Sequence, residues 1–524
     1  METYDYVVVG AGSAGCVVAS RLTEDPNVRV LLLEAGGPDR ASAIRVPAAF
    51  GTLFKTAVDW QFHTEEQPRL KNRRLYWPRG KVLGGCSSIN AMIYVRGHPS
   101  DYDAWKAAGN DGWGYADVLP YFKKSERHCR GASAYHGTGG PLHVADLRCV
   151  NPLTRVFLEA CAQSGIPRSE DFNGVSQEGA SLYPVNQKGG LRHSAADAFL
   201  KPAAHRPNLT IATEAATTRL LFEGQRAVGV EYQQNGSRRL ARAGAEVVLC
   251  SGAIGSPQLL MLSGIGPRER LEPLGIPVRV DLPGVGQNLQ DHLVIGVHHR
   301  CRQPITLDKA DTLFNRLRLV LFGRGPLSSN VGEAGAFVKS DPTLPAPDLQ
   351  LYFGPCFFIN HGFVRPEGHG FTLGACLLRP RSRGHVTLRS ADPFAPPVIQ
   401  PDYLADDADL KTLIAGVRLV RRIAAASAFD TLRGEEHLPG EPVQTDEEIA
   451  DYVRRMVETI YHPVGTCKMG TDAQSVVNSR LQVYGIEALR VVDASIMPIL
   501  VGGNTHAPTV MIAEKGADLI RAGQ

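Results

Sequence analysis

Apolar positions in this chain first appear as unbroken runs. Tyr6-Val7-Val8-Val9 is one; after a helix-compatible stretch to Thr23, Val28, Val30, Leu31, Leu32 and Leu33 form a second, which ends at Glu34. Short runs without alternation predict strands buried on both faces, as in a parallel sheet covered on both sides. The pattern returns at Glu246-Val247-Val248-Leu249-Cys250 and at Leu489-Arg490-Val491-Val492-Asp493. From Leu209 to Leu249 short β-like runs alternate with turns, and Asn235-Gly236 predicts a hairpin. Between residues 298 and 456 the strands shorten, Pro and Gly become frequent and aromatics cluster at Tyr352, Phe353, Phe357 and Phe358. Leu410, Leu413, Val417 and Val420 recur there at helical spacing, so this region predicts an antiparallel sheet with helices.

The punctuation between the first two runs adds chemistry. Gly10-Ala11-Gly12-Ser13-Ala14-Gly15 follows the first strand and opens the helix, a G-x-G-x-x-G fingerprint in a strand–turn–helix–strand unit. Gly10 permits the tight turn, Gly12 lets backbone approach a pyrophosphate, and Gly15 brings helix against strand. Glu34, with Ala35 beside it, stands where a ribose-binding acid is expected, so the unit predicts a dinucleotide site and leaves NAD and FAD both open. A second glycine cluster, Gly80 to Asn90, suits backbone packed against a flat or phosphorylated ligand, or else an ordinary turn. At Ser251-Gly252-Ala253-Ile254-Gly255-Ser256-Pro257 another strand ends in glycines; Ser256 is expected to cap a helix whose first residue is Pro257.

Two histidines are set by helix ends. Thr445-Asp446-Glu447-Glu448 is a capping box, and its helix is expected to run toward Pro463, presenting His462 just beyond it. His506 precedes Pro508, which suits the first position of a last helix, whose N-terminus favours a nearby negative charge. His462 and Cys467 lack the spacing and further ligands of a zinc site, and no G-x-S-x-G elbow supports a serine hydrolase. No metal is expected.

Composition narrows the setting. The chain has 524 residues, 43% hydrophobic and 21% charged, with a net charge of +3 and its Lys and Arg spread along the chain rather than run together, which argues against a nucleic-acid partner. No apolar run approaches the roughly 18 residues of a membrane span, so membrane contact is peripheral at most. The start has no basic leader, and the ten cysteines are scattered without a disulfide framework, which together predict a soluble, cytoplasmic protein.

Taken in order, these motifs resemble those of the glucose–methanol–choline oxidoreductases. Gly80 to Asn90 matches the family's first signature, with Cys86 where Gly, Ser or Thr is usual, and Gly252 to Gly266 matches the second. Gly284-Val285-Gly286-Gln287-Asn288-Leu289-Gln290-Asp291-His292, His462 with Gly465-Thr466, and Asn504 to Pro508 follow in the family's order. The resemblance implies an α/β fold: a discontinuous Rossmann-like FAD-binding domain (1–152, 187–297, 457–524) and an α+β substrate domain on an antiparallel sheet (153–186, 298–456). It turns the dinucleotide into FAD, with ADP on Gly10, Gly12, Ser13, Ala14, Gly15, Glu34 and Ala35. It sets Gly84, Gly85, Ser88, Asn90, Ala91, Met92, Thr505, Pro508 and Thr509 near the isoalloxazine, and Ser251, Asp493 and Ala494 near the remainder of the cofactor. Members that attach FAD covalently carry histidine where this chain has Ile89, so FAD is expected to be non-covalent. The implied reaction oxidises a primary alcohol, aliphatic or aromatic, with His462 as base and His506 holding the substrate oxygen. Many choline-type members have asparagine at this second position. Electrons would pass to a quinone or artificial acceptor; an O2-using oxidase and, more remotely, a flavin-containing lyase are the alternatives. Trp60, Tyr352, Phe353, Phe357 and Tyr461 are the expected substrate wall.

Overall fold

The structure, a computed structural model, describes residues 2–523. Strand Glu2–Val9 lies parallel to Val30–Leu33, with Tyr6 opposite Val30 and Val9 opposite Leu33, and every residue from Val30 to Leu33 is buried. Leu209–Ala212 extends the sheet beyond Val30–Leu33, and the second half of Ser237–Leu249 runs parallel on the other side of Glu2–Val9. Leu489–Val491 adds a fifth parallel strand against Val247–Leu249. The unbroken apolar runs thus become three of the parallel strands; Leu209–Ala212 and Leu489–Val491 each carry one polar residue. The first half of Ser237–Leu249 pairs instead with Arg226–Gln234, and that strand with Ala215–Glu223, both antiparallel. The hairpin turns at Asn235 and Gly236, whose φ angles of 51° and 75° are those of a two-residue I′ turn.

Helix Ser13–Leu22 follows the glycine turn. A Cβ on Gly15 would stand 1.8 Å from the Gly10 carbonyl oxygen, so only glycine lets the helix come this close. The second glycine cluster docks on the first: Gly84 N donates to Ala11 O (2.8 Å), and a Cβ on Gly85 would lie 2.7 Å from Gly12 Cα.

A second seven-stranded sheet is antiparallel throughout. Its order is Arg433–Leu438, Leu293–Cys301, Gly370–Leu377, Leu349–Gly354, Ala334–Val338 and Gly179–Leu182, with Glu458–Thr459 also on Leu293–Val294. Strand Leu293–Cys301 runs across the division placed at 297/298, and Glu458–Thr459 lies past the one placed at 456. Helix Asp407–Ala425 covers one face through Leu413, Val417 and Val420, with Gly416 against Ala375. Period-two alternation sorts Leu349–Gly354: Leu349, Leu351 and Phe353 enter the core with the helix, while Tyr352 and Gly354 face a cavity on the other side.

Three helix boundaries differ from expectation. The Thr445 capping box forms, with Glu448 N donating to Thr445 Oγ1 and Thr445 N to Glu448 Oε2, but the helix ends at Met456 and a two-residue strand intervenes before His462. The helix expected from Pro257 begins at Gly252; Thr466 Oγ1 donates to Ala253 O (2.7 Å), the carbonyl that Pro257 leaves without its i+4 N–H. The last helix spans His506–Arg521, so His506 is its first residue and Pro508 its third. Among the described residues no helix is long and apolar enough to cross a membrane.

Candidate active site

The parallel strands end side by side at Val9, Leu33, Leu249 and Val491, and a cavity of about 730 Å³ opens beyond those ends and reaches the antiparallel sheet. Its size lies within the roughly 300–1,000 Å³ typical of cofactor and substrate sites, and its place beyond the carboxyl ends of parallel strands is where such sheets bind ligands.

At the parallel-sheet end the wall is mostly backbone. Gly10, Gly12, Ser13, Ala14, Glu34 and Ala35 line it, and a Cβ on Gly12 would meet nothing within 4 Å because that position faces the cavity. Glu34 accepts from Ala11 N (2.9 Å) and Gly36 N (2.8 Å); burial raises its carboxyl to about 7. Ser251, Asp493 and Ala494 line the adjoining wall. Asp493 accepts from Gly252 N, Ser256 Oγ and Ser495 N, so Ser256 ties two strand ends together and does not cap a helix. Gly85, Asn90, Ala91, Met92, Thr505 and Thr509 line the middle of the cavity. Gly15, Gly84, Ser88 and Pro508 stand behind the wall and shape it; Ser88 Oγ, for example, donates to Leu83 O (2.7 Å).

At the other end His462 projects from the segment after Glu458–Thr459. Its backbone N donates to Asp291 Oδ1 (2.8 Å), and its ring Nδ1 lies 3.0 Å from Nδ1 of His292. Adjacent residues thus grip backbone and ring. Thr459 and Tyr403 donate to the other oxygen of Asp291.

The two rings fix each other's protons. Leu378 O, 3.0 Å from His292 Nε2, can only accept, so His292 carries its proton there. Burial pushes the His292 pKa down to about 3; the ring is neutral and its Nδ1 is a lone pair. His462 Nδ1 must therefore donate to it. Burial, aided by His292 and by the cationic Arg79, holds His462 well below its ordinary pKa, so its Nε2 is an unprotonated acceptor at the cavity wall. Asn504 Nδ2 lies 3.4 Å from that Nε2 and 3.3 Å from Tyr352 Oη, and Asn504 Oδ1 accepts from Gln350 Nε2 (3.1 Å), which sets the amide's orientation.

His506 lines the same cavity but turns elsewhere. Its Nδ1 lies 3.0 Å from Ser13 Oγ, its buried Nε2 has no hydrogen-bond partner in the protein, and burial lowers its pKa to about 4. The group brought against His462 is therefore Asn504, which sequence motifs contained but did not single out; His292 was likewise in a motif without a role. No periodicity marks either residue, since each acts through a partner far away in the chain.

The five aromatics expected to form a substrate wall fall in two places. Trp60, Tyr352 and Tyr461 line the cavity, joined by Phe50, Phe54 and Phe358. Phe353 and Phe357 do not. Phe353 stacks on Phe157 at 4.8 Å between ring centres on the far face of its strand, and Phe357 packs against Gly370 and His437. Backbone strain gathers here as well: Met92, Val331, Asn360, His361 and Tyr461 all line the cavity with φ between 48° and 70°. Left-handed side-chain-bearing residues cost on the order of 1–3 kcal/mol each and concentrate at functional sites. Among the described residues, Glu126, His128 and His136 have metal-like spacing, but Arg96 and Asp171 already pair with Glu126 and His136.

Family models for GMC oxidoreductase match residues 4–294 and 380–513. The chain belongs to the GMC oxidoreductase family. It is 48% identical to the mitochondrial choline dehydrogenase of Mus musculus over 99% of this chain and 90% of that protein. Identity is also 48% to an alcohol dehydrogenase [acceptor] of Pseudomonas putida, over 99% and 95%. Among solved structures, pyridoxine 4-oxidase from Mesorbium loti is 36% identical with a TM-score of 0.91, covering 98% of both chains. Formate oxidase from Aspergillus oryzae RIB40, studied for modification of its FAD, is 30% identical with a TM-score of 0.94, covering 100% of this chain and 99% of that one. This GMC oxidoreductase binds FAD, and its site fits the group: a glycine-lined cradle at one end, and in the middle the unpartnered Nε2 of His506 at the start of a helix.

Proposed function

We propose that this GMC oxidoreductase oxidises a neutral primary alcohol with an apolar body, aliphatic or aromatic, to the aldehyde, and that His462 is its base. The observation that carries the reading is the unprotonated Nε2 of His462, fixed by the His292–Leu378 chain, beside Asn504 Nδ2 and facing an aromatic cavity. Nε2 takes the hydroxyl proton; Asn504 Nδ2, adjacent to it, holds the oxygen as charge develops. Bound FAD supplies the hydride acceptor. The N-terminus of helix His506–Arg521, which lines the cavity through His506 and Thr509, favours negative charge there. Ile89, in the wall, has no group to bond a flavin, which supports non-covalent attachment. Electrons leave to a quinone-type acceptor in this reading, and the ten free cysteines suit a cytoplasmic setting.

The carboxylates around the cavity argue against a cationic substrate. Glu34 and Asp493 are taken by backbone and hydroxyl donors, and Glu458 by Arg73. Choline is nevertheless the second reading, favoured by relatives that bear its name and by ring faces able to hold a quaternary ammonium. Anaerobic mixing of the holoenzyme with 1-alkanols, benzyl alcohol and choline separates them by the rate of flavin bleaching. Faster reduction by a neutral alcohol supports the proposal; preference for choline overturns the substrate, and no bleaching by any overturns the reaction. Peroxide formed in step with turnover in air would replace the quinone acceptor by oxygen.

A further inference from the structure

One helix stands apart from the rest of the molecule in what it exposes. Leu313–Phe322 is capped at its start by Thr312 Oγ1, which accepts from Asn315 N, and ends at Gly323, whose φ of 58° lets its N–H reach Leu319 O. Leu319 alone in the helix is buried. Leu313, Phe314, Leu317, Val320, Leu321 and Phe322 are exposed, from 50% for Leu317 to 78% for Val320.

The exposure is ordered. At ~100° per residue, Leu313, Phe314, Leu317, Val320 and Leu321 share an arc of roughly 120°, with Arg316 at one border and Arg318 at the other; Phe322, the last residue of the helix, is exposed outside this arc. Leu319 and Asn315 lie on the opposite side, toward the protein, where Asn315 Nδ2 donates to Ala310 O (2.9 Å). Arg318 lies over the ring of Phe314, with 5.6 Å to its centre.

Charge follows the same geography. Residues 302–324 contain five cations (Arg302, Lys309, Arg316, Arg318, Arg324) and two acids (Asp308, Asp311), an excess of three that equals the net charge of the whole 524-residue chain. The remainder of the molecule is balanced; this segment is not. Of its acids, Asp308 is turned into the fold, accepting from Phe357 N and Gly370 N, and Asp311 pairs with Arg316 (2.6 and 2.7 Å), which leaves Arg318 as the border cation without a carboxylate partner among the described residues.

We propose that helix Leu313–Phe322 seats the protein on an anionic lipid surface, its apolar stripe in the acyl boundary and its bordering arginines among the headgroups. An apolar stripe edged by cations is the pattern of helices that lie in a membrane interface, and ten residues are far too few to cross one. A second copy of the chain fits less well: a helix roughly 15 Å long offers an apolar face on the order of a few hundred Å², short of the ~800 Å² per partner of a stable interface. The surface also adjoins the substrate end of the cavity. The turn Pro326–Ser328 after the helix packs on Pro47–Leu53, whose Phe50 lines the cavity, as does Val331.

Vesicle flotation of the holoenzyme tests this, using phosphatidylcholine alone and phosphatidylcholine mixed with phosphatidylglycerol, with the mass of the unbound protein measured in parallel. The wild-type protein is expected to float with the mixed vesicles, less with neutral ones, and less as salt rises. Leu317→Glu with Leu321→Glu should cut partitioning by at least about tenfold while FAD content and oxidation of a water-soluble alcohol stay unchanged. Arg316→Gln with Arg318→Gln should remove only the preference for the anionic vesicles. Wild-type protein that stays in the soluble fraction, or glutamate variants that float undiminished, would overturn the proposal. So would a wild-type dimer, without vesicle binding, that the glutamate variants convert to monomers.

Discussion

The two ends of the cavity are built by different means. At the parallel-sheet end, glycines pack so closely that a methyl group on Gly15 would strike the Gly10 carbonyl within residues 10–15, and one on Gly85 would strike Gly12 of that same stretch. At the antiparallel end the backbone is held off, and the wall is made by single hydrogen-bonded side chains from residues 292, 352, 462 and 504. The first end is specified by shape and is intolerant of added atoms. The second is specified by hydrogen-bond polarity and is sensitive to atoms removed or reversed.

The largest expected effect breaks the first end. Gly15→Val forces a branched side chain against the Gly10 carbonyl, and the expected product is insoluble or lacks flavin, measured as 450 nm absorbance per mole of purified protein. Soluble, fully flavinated protein would show that the glycine contact is not required. Next, His462→Ala should retain FAD while flavin reduction by the alcohol slows by at least roughly a hundredfold, the scale of a lost general base; near-normal stopped-flow reduction would remove His462 from that role. His292 separates polarity from bulk. His292→Leu takes the acceptor from His462 Nδ1 and should slow reduction by roughly 10–100-fold, whereas His292→Gln, whose amide oxygen can accept the same proton, should recover most of the rate. Equal loss in both variants would make His292 a packing residue only.

A milder change sharpens the contrast. Gly12→Ala meets open space, so melting of the flavin-free protein should be unaffected, while FAD binds roughly tenfold more weakly, about 1.4 kcal/mol, by titration. Least local is the effect of acid. His292 and His298 are held to about 3, and His193 and His506 to about 4, all mainly by burial. Below the unfolded value of ~6.5 the unfolded chain takes up protons these rings refuse, so stability falls as pH falls. Glu34 and Asp291, raised by burial to about 7 and about 6, act the other way, because their folded forms keep protons the unfolded chain has released above ~4. Burial also raises Glu333 and Asp493 and lowers His462 and His299 among other histidines, so the histidines held low outnumber the carboxyls held high, and the melting temperature should drop by several degrees between pH 6.5 and 5. A flat or rising profile would contradict these pKa directions.

Local rules made much of the fold legible. The parallel strands at Glu2–Val9, Val30–Leu33 and the end of Ser237–Leu249 could be read because each ends in a continuous apolar run, the hairpin because Asn235-Gly236 supplies two left-handed residues, and the Thr445 helix start because both partners of its box lie within four residues. The same locality explains the errors. A helix beginning at Gly252 carries Pro257 because Thr466, over two hundred residues away, serves the freed carbonyl. Phe353 and Tyr352 are indistinguishable as sequence, yet the pleat sends one to the core and the other to the cavity.

What the sequence determined by itself was the set of chemical parts: a glycine cradle for a dinucleotide, two histidines beside helices, and the motif order of an FAD-binding family. Tertiary structure alone decided how the parts meet. It paired His462 with His292, set Asn504 against the resulting lone pair, and turned His506 toward Ser13. The physical reason is range. Backbone conformation and apolar periodicity are written in neighbouring residues, whereas the protonation state of a buried imidazole depends on what lies across a cavity wall, and in this chain that partner is 170 residues away.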